Sequence, residues 1–506
     1  MDDNKQNRPY SKPRAATHAT AVKLLSILFM KYPSPHSHLA SIACVVAIFA
    51  NIAAAKELPI TPDTDVEELA KQVTAGDSIV LQDGTWIDAE LKFERLPGTA
   101  ADPIQIRPQT PGKVVFSGST EFRVSGTHII VSGFVFRDTN DVSDVVQLRT
   151  HSKRHAHHCR FTDCVFEQTP EAPTGIESRW LSVFGTHNRI DHCYFGGKRS
   201  RGPTLVVWVS EDVDEEHRID HNHFGFRPEL GKNGGETIRI GTSEVSEANC
   251  KTVVEENYFH KCNGEAEIIS NKACENIYRQ NVFDECEGAL TLRHGHRCLV
   301  DSNLFLGRKA TGTGGVRVIG AGHTVTNNYF EGLRGNEERA AICVMNGIPK
   351  YALNSYAPVR DATIAHNTVI DCKMAMEIGY RAGKKQSAAP TNCQITHNLF
   401  LPSKWWLFRF HAQPVDCNWD GNRLQIGDLR EELKIEIKRI DSRLDRADDG
   451  LLRPTTPEAL STDEKSLIKN DIDGQPRGDT AIAGCDEPNT QRRTWVTEAT
   501  TGPTWK

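Results

Sequence analysis

The sequence predicts an all-β chain: a single-stranded right-handed parallel β-helix, a solenoid with an N-terminal helical cap and a short C-terminal cap region. The first observation behind this is a phrase that keeps returning. Ile130-Val131-Ser132-Gly133-Phe134-Val135-Phe136 is echoed by Asn188-Arg189-Ile190-Asp191-His192-Cys193-Tyr194-Phe195, by Val254-Glu255-Glu256-Asn257-Tyr258-Phe259 and by Val325-Thr326-Asn327-Asn328-Tyr329-Phe330. The second is its period. The closing aromatic falls at 136, 166, 195, 224, 259, 283, 305 and 330, with gaps of 30, 29, 29, 35, 24, 22 and 25. The third is alternation with period two in segments rich in Val, Ile and Phe, which suits strands and disfavours a helical solenoid. A repeat of this length is one coil. No coil can bury its apolar face alone, so successive coils stack on a shared core. The asparagines then line up at one turn, where their side chains can bond the next coil's backbone and tolerate left-handed conformations. Uneven gaps mark loops that project from the stack.

Length alone, 506 residues and 56.3 kDa, suggests about three domains, but a repeat architecture overrides that expectation. Residues 1–55 read as a targeting segment. Leu39 to Ala55 is an uncharged apolar run, short for a membrane span, ending in Ala53-Ala54-Ala55, an A-x-A cleavage pattern before Lys56. Met30-Lys31 makes a better start than Met1. A secreted or periplasmic protein, cleaved near Ala55, is expected; an uncleaved anchor is the alternative. The β-helix domain is expected over 56–427. It opens with a helix over 65–73, with Thr64 as N-cap and Glu67 completing a capping box. Such a helix would cover unpaired backbone at the end of the first coil. Residues 78–81 follow as a strand, and Asp83-Gly84 as a turn. The repeat stops near residue 426. Asp428 to Leu444 reads as a charged helix, and 428–506 as a C-terminal cap with a strand or two and a loose, solvated tail.

Formal net charge is −6, so no bulk field draws in a polyanion. Neither a nucleic-acid partner nor stable membrane insertion after signal cleavage is expected, and an anionic partner needs a local basic patch. Of the 14 cysteines, 13 remain once Cys44 in the apolar run is set aside. Five stand at 250, 262, 274, 286 and 298, each 12 apart, and two such steps approximate one coil. Buried thiols stacked in ladders are therefore expected rather than a metal site, since no C-x₂-C pair occurs. Histidine ligands are disfavoured as well. H-x-x-x-H at 151/155 and 217/221 brings two rings together only on a helix.

Chemistry-bearing residues concentrate between Asn233 and Arg317. Side chains at equivalent places in neighbouring coils stand about 4.8 Å apart. Asn233 to Glu265 is 32 residues, Lys272 to Arg293 is 21 and Arg293 to Arg317 is 24, each near one coil. Asn233, Glu265 and Glu267 can therefore converge, with Lys272, Arg293 and Arg317 on the same outer face. Glu265 and Glu267, two apart on a strand, point to the same side. Two carboxylates and an amide oxygen are hard ligands that suit Ca²⁺. Alternatively, the two glutamates ion-pair with Lys272 and Arg293 on a solvated face. His294 either lines the cleft or is a hydrogen-bonded structural histidine; Glu236 either faces a substrate or pairs with Arg239. If both glutamates hold a cation, the carboxyl pair that sugar hydrolysis requires is occupied. Elimination beside a uronate carboxylate fits better. A cation and an arginine neutralise the carboxylate and acidify the C5 proton, which a neutral lysine removes. Lysine ordinarily titrates near about 10.4, and adjacent positive charge favours its neutral form. Arginine, above about 12, is an awkward acid. Arg293 thus either donates the proton or stabilises the leaving oxygen while another group donates.

The segments NGGETIRIG at 233–241, GEAEIISNK at 264–272, LRHG at 292–295 and GGVR at 314–317 resemble polysaccharide lyase family 6, the alginate lyase and chondroitinase B group. The resemblance spans about 57–425, and Asp473-Gly474-Gln475-Pro476-Arg477 is similar to the family's C-terminal end. It implies calcium held by Asn233, Glu265 and Glu267, Lys272 as base, Arg293 in the acid role, and Arg239 and Arg317 as substrate contacts. It also implies alginate, an anionic polysaccharide, as substrate, cleaved by β-elimination to 4,5-unsaturated uronate ends. Glu236 and His294 stand beside these as candidate substrate contacts. A dermatan sulfate lyase of the chondroitinase B kind and a polysaccharide-binding β-helix without activity are the alternatives. The family's larger members carry a second β-helix, for which this chain is expected to be too short.

Overall fold

Three parallel sheets of 13, 14 and 14 strands carry almost all the regular structure. The computed structural model describes residues 55–506 except 140, 232, 382, 402–405, 427–434, 463–464 and 488–490. The expected targeting segment up to Ala54, and residues 428–434 of the expected C-terminal helix, lie outside these. We label as sheet A the one that begins with Glu57–Ile60, and as sheet B the one that begins with Gly84–Ile87; sheet C is the remaining long sheet. Each coil gives one strand to each sheet. One coil, for example, runs through Val253–Glu255, Tyr258–His260 and Glu267–Lys272. Directly against it lie Ile277–Arg279, Val282–Asp284 and Gly288–His294. The parallel β-helix forms as the repeat predicts.

Inside, the closing aromatics stack in one column. Phe136–Phe166, Phe166–Phe195, Phe195–Phe224 and Phe224–Phe259 lie 4.6, 5.0, 5.0 and 4.7 Å apart between ring centres. Phe259–Phe283, Phe283–Phe305 and Phe305–Phe330 continue at 4.6, 4.7 and 4.8 Å. The asparagines form a second column at the turn between sheets A and B. The amide nitrogens of Asn257, Asn281, Asn303 and Asn328 donate to the amide oxygen of the next asparagine at 3.0, 3.0, 2.9 and 3.0 Å. Each also satisfies backbone carbonyls, as Asn303 does for Tyr278 and Asp301. The left-handed residue of this turn is the one before each asparagine: His221, Glu256, Gln280, Ser302 and Asn327 have φ between 52° and 59°. The expectation of a left-handed asparagine is therefore corrected by one position. The asparagine itself points inward, because only a short amide can bridge two buried coils. Asn303→Ala should cost about 2–3 kcal/mol in a denaturant titration, since it leaves buried carbonyls on both sides without a donor. The same stability as wild type would show the ladder to be dispensable.

Cysteines behave as a ladder of thiols. Cys250, Cys262, Cys274, Cys286 and Cys298 are buried and free, and the Cys262 amide donates to the Cys286 sulfur at 3.5 Å.

Several local expectations are corrected. The N-terminal helix is only Val66–Ala70, capped by Asp65, whose carboxylate accepts the Glu68 amide at 3.0 Å. Thr64 instead accepts the Thr61 amide, and Glu67 reaches Lys92 at 3.1 Å, so no capping box forms. Beyond the coils, Lys438–Ile440 is a strand that extends sheet B beside Arg423–Gln425, and Leu444–Arg446 pairs antiparallel with Leu452–Pro454. The apolar residues hold this stretch to the coils: Ile435 and Ile437 pack on the core just before the strand, and Ile440 is buried within it. The tail is docked rather than loose. Thr504 and Trp505 bond Asp163, 341 and 342 residues earlier, at 2.8 and 2.7 Å. Among the described residues no helix is long and apolar enough to cross a membrane.

The buried histidines set an acid limit. Burial pushes His217 down to about 3 and His323 down to about 4, so both are neutral in the fold. An unfolded chain takes up those protons near pH 6.5 and the fold does not. Stability is thus full above about pH 6.5 and falls as pH drops from there toward about 3. Melting temperatures measured across pH 4 to 8 should decline on the acid side; a flat profile would contradict neutral burial.

Candidate active site

The loop Asn233-Gly234-Gly235-Glu236 enters sheet C on a scaffold that sequence reading overlooked. Arg227, 2% exposed, sends one guanidinium nitrogen to the Glu236 carbonyl at 2.6 Å and the Thr204 hydroxyl at 3.2 Å. The other bonds the carbonyls of Ser200, Gly202 and Gly234 at 3.2, 2.9 and 3.3 Å. Burial pulls this guanidinium down to about 10, and the nearby Glu236 charge opposes that pull. Gly235 and Gly264 lie so close that a Cβ on either would collide with the other's carbonyl. Glycine at both places is what lets the two acidic coils approach. Asn233 stands exposed on this turn, one coil before Glu265.

Glu236 and Glu267 both lie near enough to Glu265 for their charges to act on it. Glu265 lies in the bend before strand Glu267–Lys272, not on the strand with Glu267 as the alternation suggested. It still faces its partners: burial, then the charges of Glu236 and Glu267, push it up to about 8, with Arg227 and Lys272 opposing. Glu236 is 8% exposed, and its Oε2 has no hydrogen-bond partner among the described residues. No ion pair joins Glu236 to Arg239 among the described residues. Glu267 accepts the Ser270 hydroxyl at 2.5 Å, and its other oxygen lies 3.5 Å from Arg317 and 3.8 Å from Arg293. A carboxyl whose proton affinity is raised by burial and by neighbouring acids marks a site short of positive charge. The oxygens fit a hard divalent cation.

The cations lie along the same sheet. Arg239 pairs in register with Ser270, Thr291 with Arg317, and Lys272 with His294. Strand Glu267–Lys272 meets Gly288–His294 through two register shifts, at Glu267/Ile269 and at Asn271/Lys272. Such bulges re-aim side chains at the ends of a strand, and here those ends are Glu267 and Lys272. Between them Asn271 turns inward, donating to the His294 carbonyl at 2.8 Å and accepting from Tyr278 at 2.7 Å. His294 is buried and lies 3.2 Å from the Ser243 hydroxyl; burial, then Arg293 and Lys272, push it down to about 3. It is a neutral, hydrogen-bonded member of the wall.

Upstream, the groove continues over aromatic rings that no motif announced. Arg239 stacks 5.2 Å from the Trp208 ring, which lies parallel to Phe184 at 5.5 Å, and Arg149 sits 3.8 Å over Phe184. These rings line a cavity of about 460 Å³ together with His155 and Glu215. A separate acidic group, Asp471, Asp473 and Asp486, gathers its oxygens within 4.8 Å of one another. Arg453 neutralises it, at 3.2 Å from Asp473 and 2.6 Å from Asp486, so it closes the C-terminal turn as an ion-pair cluster.

Sequence comparison matches residues 60–404 to the family model described as Chondroitinase B. Among curated proteins, none matches. The solved structure of the family 6 alginate lyase AlyGC is 34% identical, with a TM-score of 0.77 over 89% of this chain and 59% of AlyGC. The chain thus spans less than two thirds of that protein. A mannuronic-acid-specific family 6 lyase from human gut microbiota is 32% identical, with a TM-score of 0.65 over 77% of this chain and 92% of that one. The family 6 lyase Pedsa3628 from Pseudopedobacter saltans, at 20% identity, shares the fold with a TM-score of 0.67. By the extent of these matches, this chain belongs to the chondroitinase B family, polysaccharide lyase family 6.

Proposed function

We propose that the chain is an exported lyase that cleaves alginate by calcium-assisted β-elimination, leaving 4,5-unsaturated uronate ends. The observation that supports this reading is the approach of Arg293 and Arg317 to Glu267 on sheet C, beside a Glu265 on which the charges of Lys272, Glu236 and Glu267 all act. Asn233, Glu265 and Glu267 would hold Ca²⁺, whose charge, when bound, neutralises the substrate carboxylate and acidifies C5. Lys272 takes the C5 proton, and the electron pair forms the C4=C5 bond as C4–O4 breaks. Arg293 stabilises the leaving O4, which takes a proton from water and ends as a hydroxyl. Arg317 and Arg239 hold uronate carboxylates, and the Trp208 and Phe184 rings carry sugars farther along the groove. Coils about 4.8 Å apart provide a ladder of contacts for a polymer of sugar rings.

The matching family description favours a second reading, dermatan sulfate as substrate. Both readings predict ultraviolet absorbance from the conjugated product. The experiment is that assay with alginate and dermatan sulfate in parallel, with and without a calcium chelator. Absorbance with alginate, lost on chelation and restored by calcium, is expected. Absorbance only with dermatan sulfate would transfer the assignment to that substrate. New reducing ends without absorbance would mean hydrolysis, and binding without either product a non-catalytic β-helix.

A further inference from the structure

After strand Ile342–Met345 of sheet C the chain leaves the coil and returns near Val359. The neck of this excursion is closed. The Ile348 amide donates to the Tyr356 carbonyl at 2.8 Å, and Gly347 packs so tightly on Pro358 that no Cβ would fit. Its tip is a hydrogen-bonded turn in which the Ser355 amide and hydroxyl both donate to the Ala352 carbonyl, at 2.9 and 2.8 Å. The outer residues of the loop, Leu353 among them, are exposed, while its inner side is held to the sheet. The loop lies back across the groove, where Ser246 donates to the Leu353 carbonyl and Arg293 to the Ser355 carbonyl, each at 3.4 Å. That places the Tyr356 ring 4.2 Å from the Arg293 guanidinium and 5.9 Å from that of Arg317.

We propose that Tyr356 is a positioning residue for the lyase reaction: with one donor of Arg293 on the Ser355 carbonyl and the Arg317 Nε on the Met345 sulfur, the ring holds both guanidinium faces so that their remaining N–H groups stay directed into the groove. This rests on the lyase reading above. Both arginines also face the Glu267 carboxylate, at 3.8 and 3.5 Å, and that carboxylate is the group proposed to hold the cation. A guanidinium drawn fully onto Glu267 would spend its donors there and compete with the metal. A ring takes only the face of the ion and leaves its in-plane donors unused. The ring is itself fixed from behind by the buried cluster of Ile319, Ala340, Cys343, Met345 and Met374.

The test compares Tyr356→Phe with Tyr356→Leu, reading melting temperature, kcat and KM on alginate or dermatan sulfate, and calcium affinity by calorimetry. Leucine keeps the apolar packing, and Tyr356→Met repeats the measurement should the leucine variant not fold. Tyr356→Phe is expected to stay within about threefold of wild type in every constant, because the ring is retained. Tyr356→Leu should lower kcat by about 30-fold with little change in KM, as a misplaced transition-state group does. It should also weaken calcium binding by about tenfold, as removal of an outer partner of a metal ligand does. Wild-type kcat and calcium affinity in Tyr356→Leu would overturn the proposal. So would a Tyr356→Phe variant as slow as the leucine one, which would give the role to the phenol hydroxyl. If wild type makes no absorbing product from any polyuronate, the lyase reading fails instead, and the calcium measurement still tests the positioning.

Discussion

Lys272→Ala should lower turnover by about a thousandfold or more while leaving the melting temperature and coil stacking unchanged. The side chain is half-buried at the outer end of its strand, and among the described residues no ion pair holds it. Its removal therefore disturbs little that supports the fold. What it removes is an amine whose charge acts on both Glu265 and His294. Calcium binding should survive in this variant, because Lys272 opposes rather than supports the accumulation of positive charge there. Steady-state rates by ultraviolet absorbance, together with a thermal melt, decide the matter. A variant that retains a tenth or more of wild-type kcat would take the base role away from Lys272.

Arg227→Met should be the most damaging single change to the scaffold, costing about 3–5 kcal/mol in denaturant unfolding. One buried guanidinium serves four carbonyls and a hydroxyl from two separate segments, 200–204 and 234–236. Methionine matches its stem and none of its donors. The loss also reaches the chemistry, because the carbonyls of Gly234 and Glu236 define how Asn233 and Glu236 are presented. Arg227 is moreover one of the two cations that oppose the raised proton affinity of Glu265. Weakened calcium binding should therefore accompany the loss of stability. Arg227→Met at wild-type stability would mean that water replaces the donors and that the loop is held by its glycines alone.

Much of the site was legible because a solenoid converts sequence distance into spatial distance at a nearly constant rate. Lys272, Arg293 and Arg317 fall within a residue or two of one coil apart, and they land on one sheet. The acid pair was legible in position but not in detail. Glu265 sits in a bend, and register shifts on either side of Ile269 and Asn271 aim Glu267 and Lys272, so strict alternation overstates how regular the strand is. Arg227 and Tyr356 were not legible. Arg227 acts through backbone carbonyls, which leave no trace in residue type, and Tyr356 reaches Arg293 from 63 residues away on a loop that belongs to no repeat. Of the helix expected over 428–444, the described residues from 435 onward carry instead the strand Lys438–Ile440: the charges suggested a solvated helix, while Ile435 and Ile437 pack on the core and Ile440 is buried in sheet B.

By itself, the sequence determined the period of the coils, the aromatic and asparagine columns, the thiol ladder, and which acids and bases share a face. These follow from repetition, since a residue type returning at one coil's interval must stack on its predecessor whatever the turns do. Only the tertiary structure decided how the faces are finished: where bulges tilt the strand ends, which buried arginine gathers the carbonyls beneath the acidic loop, and which distant ring closes over the arginines. Such contacts arise from departures from the repeat, and their partners are chosen by three-dimensional proximity that no periodicity encodes.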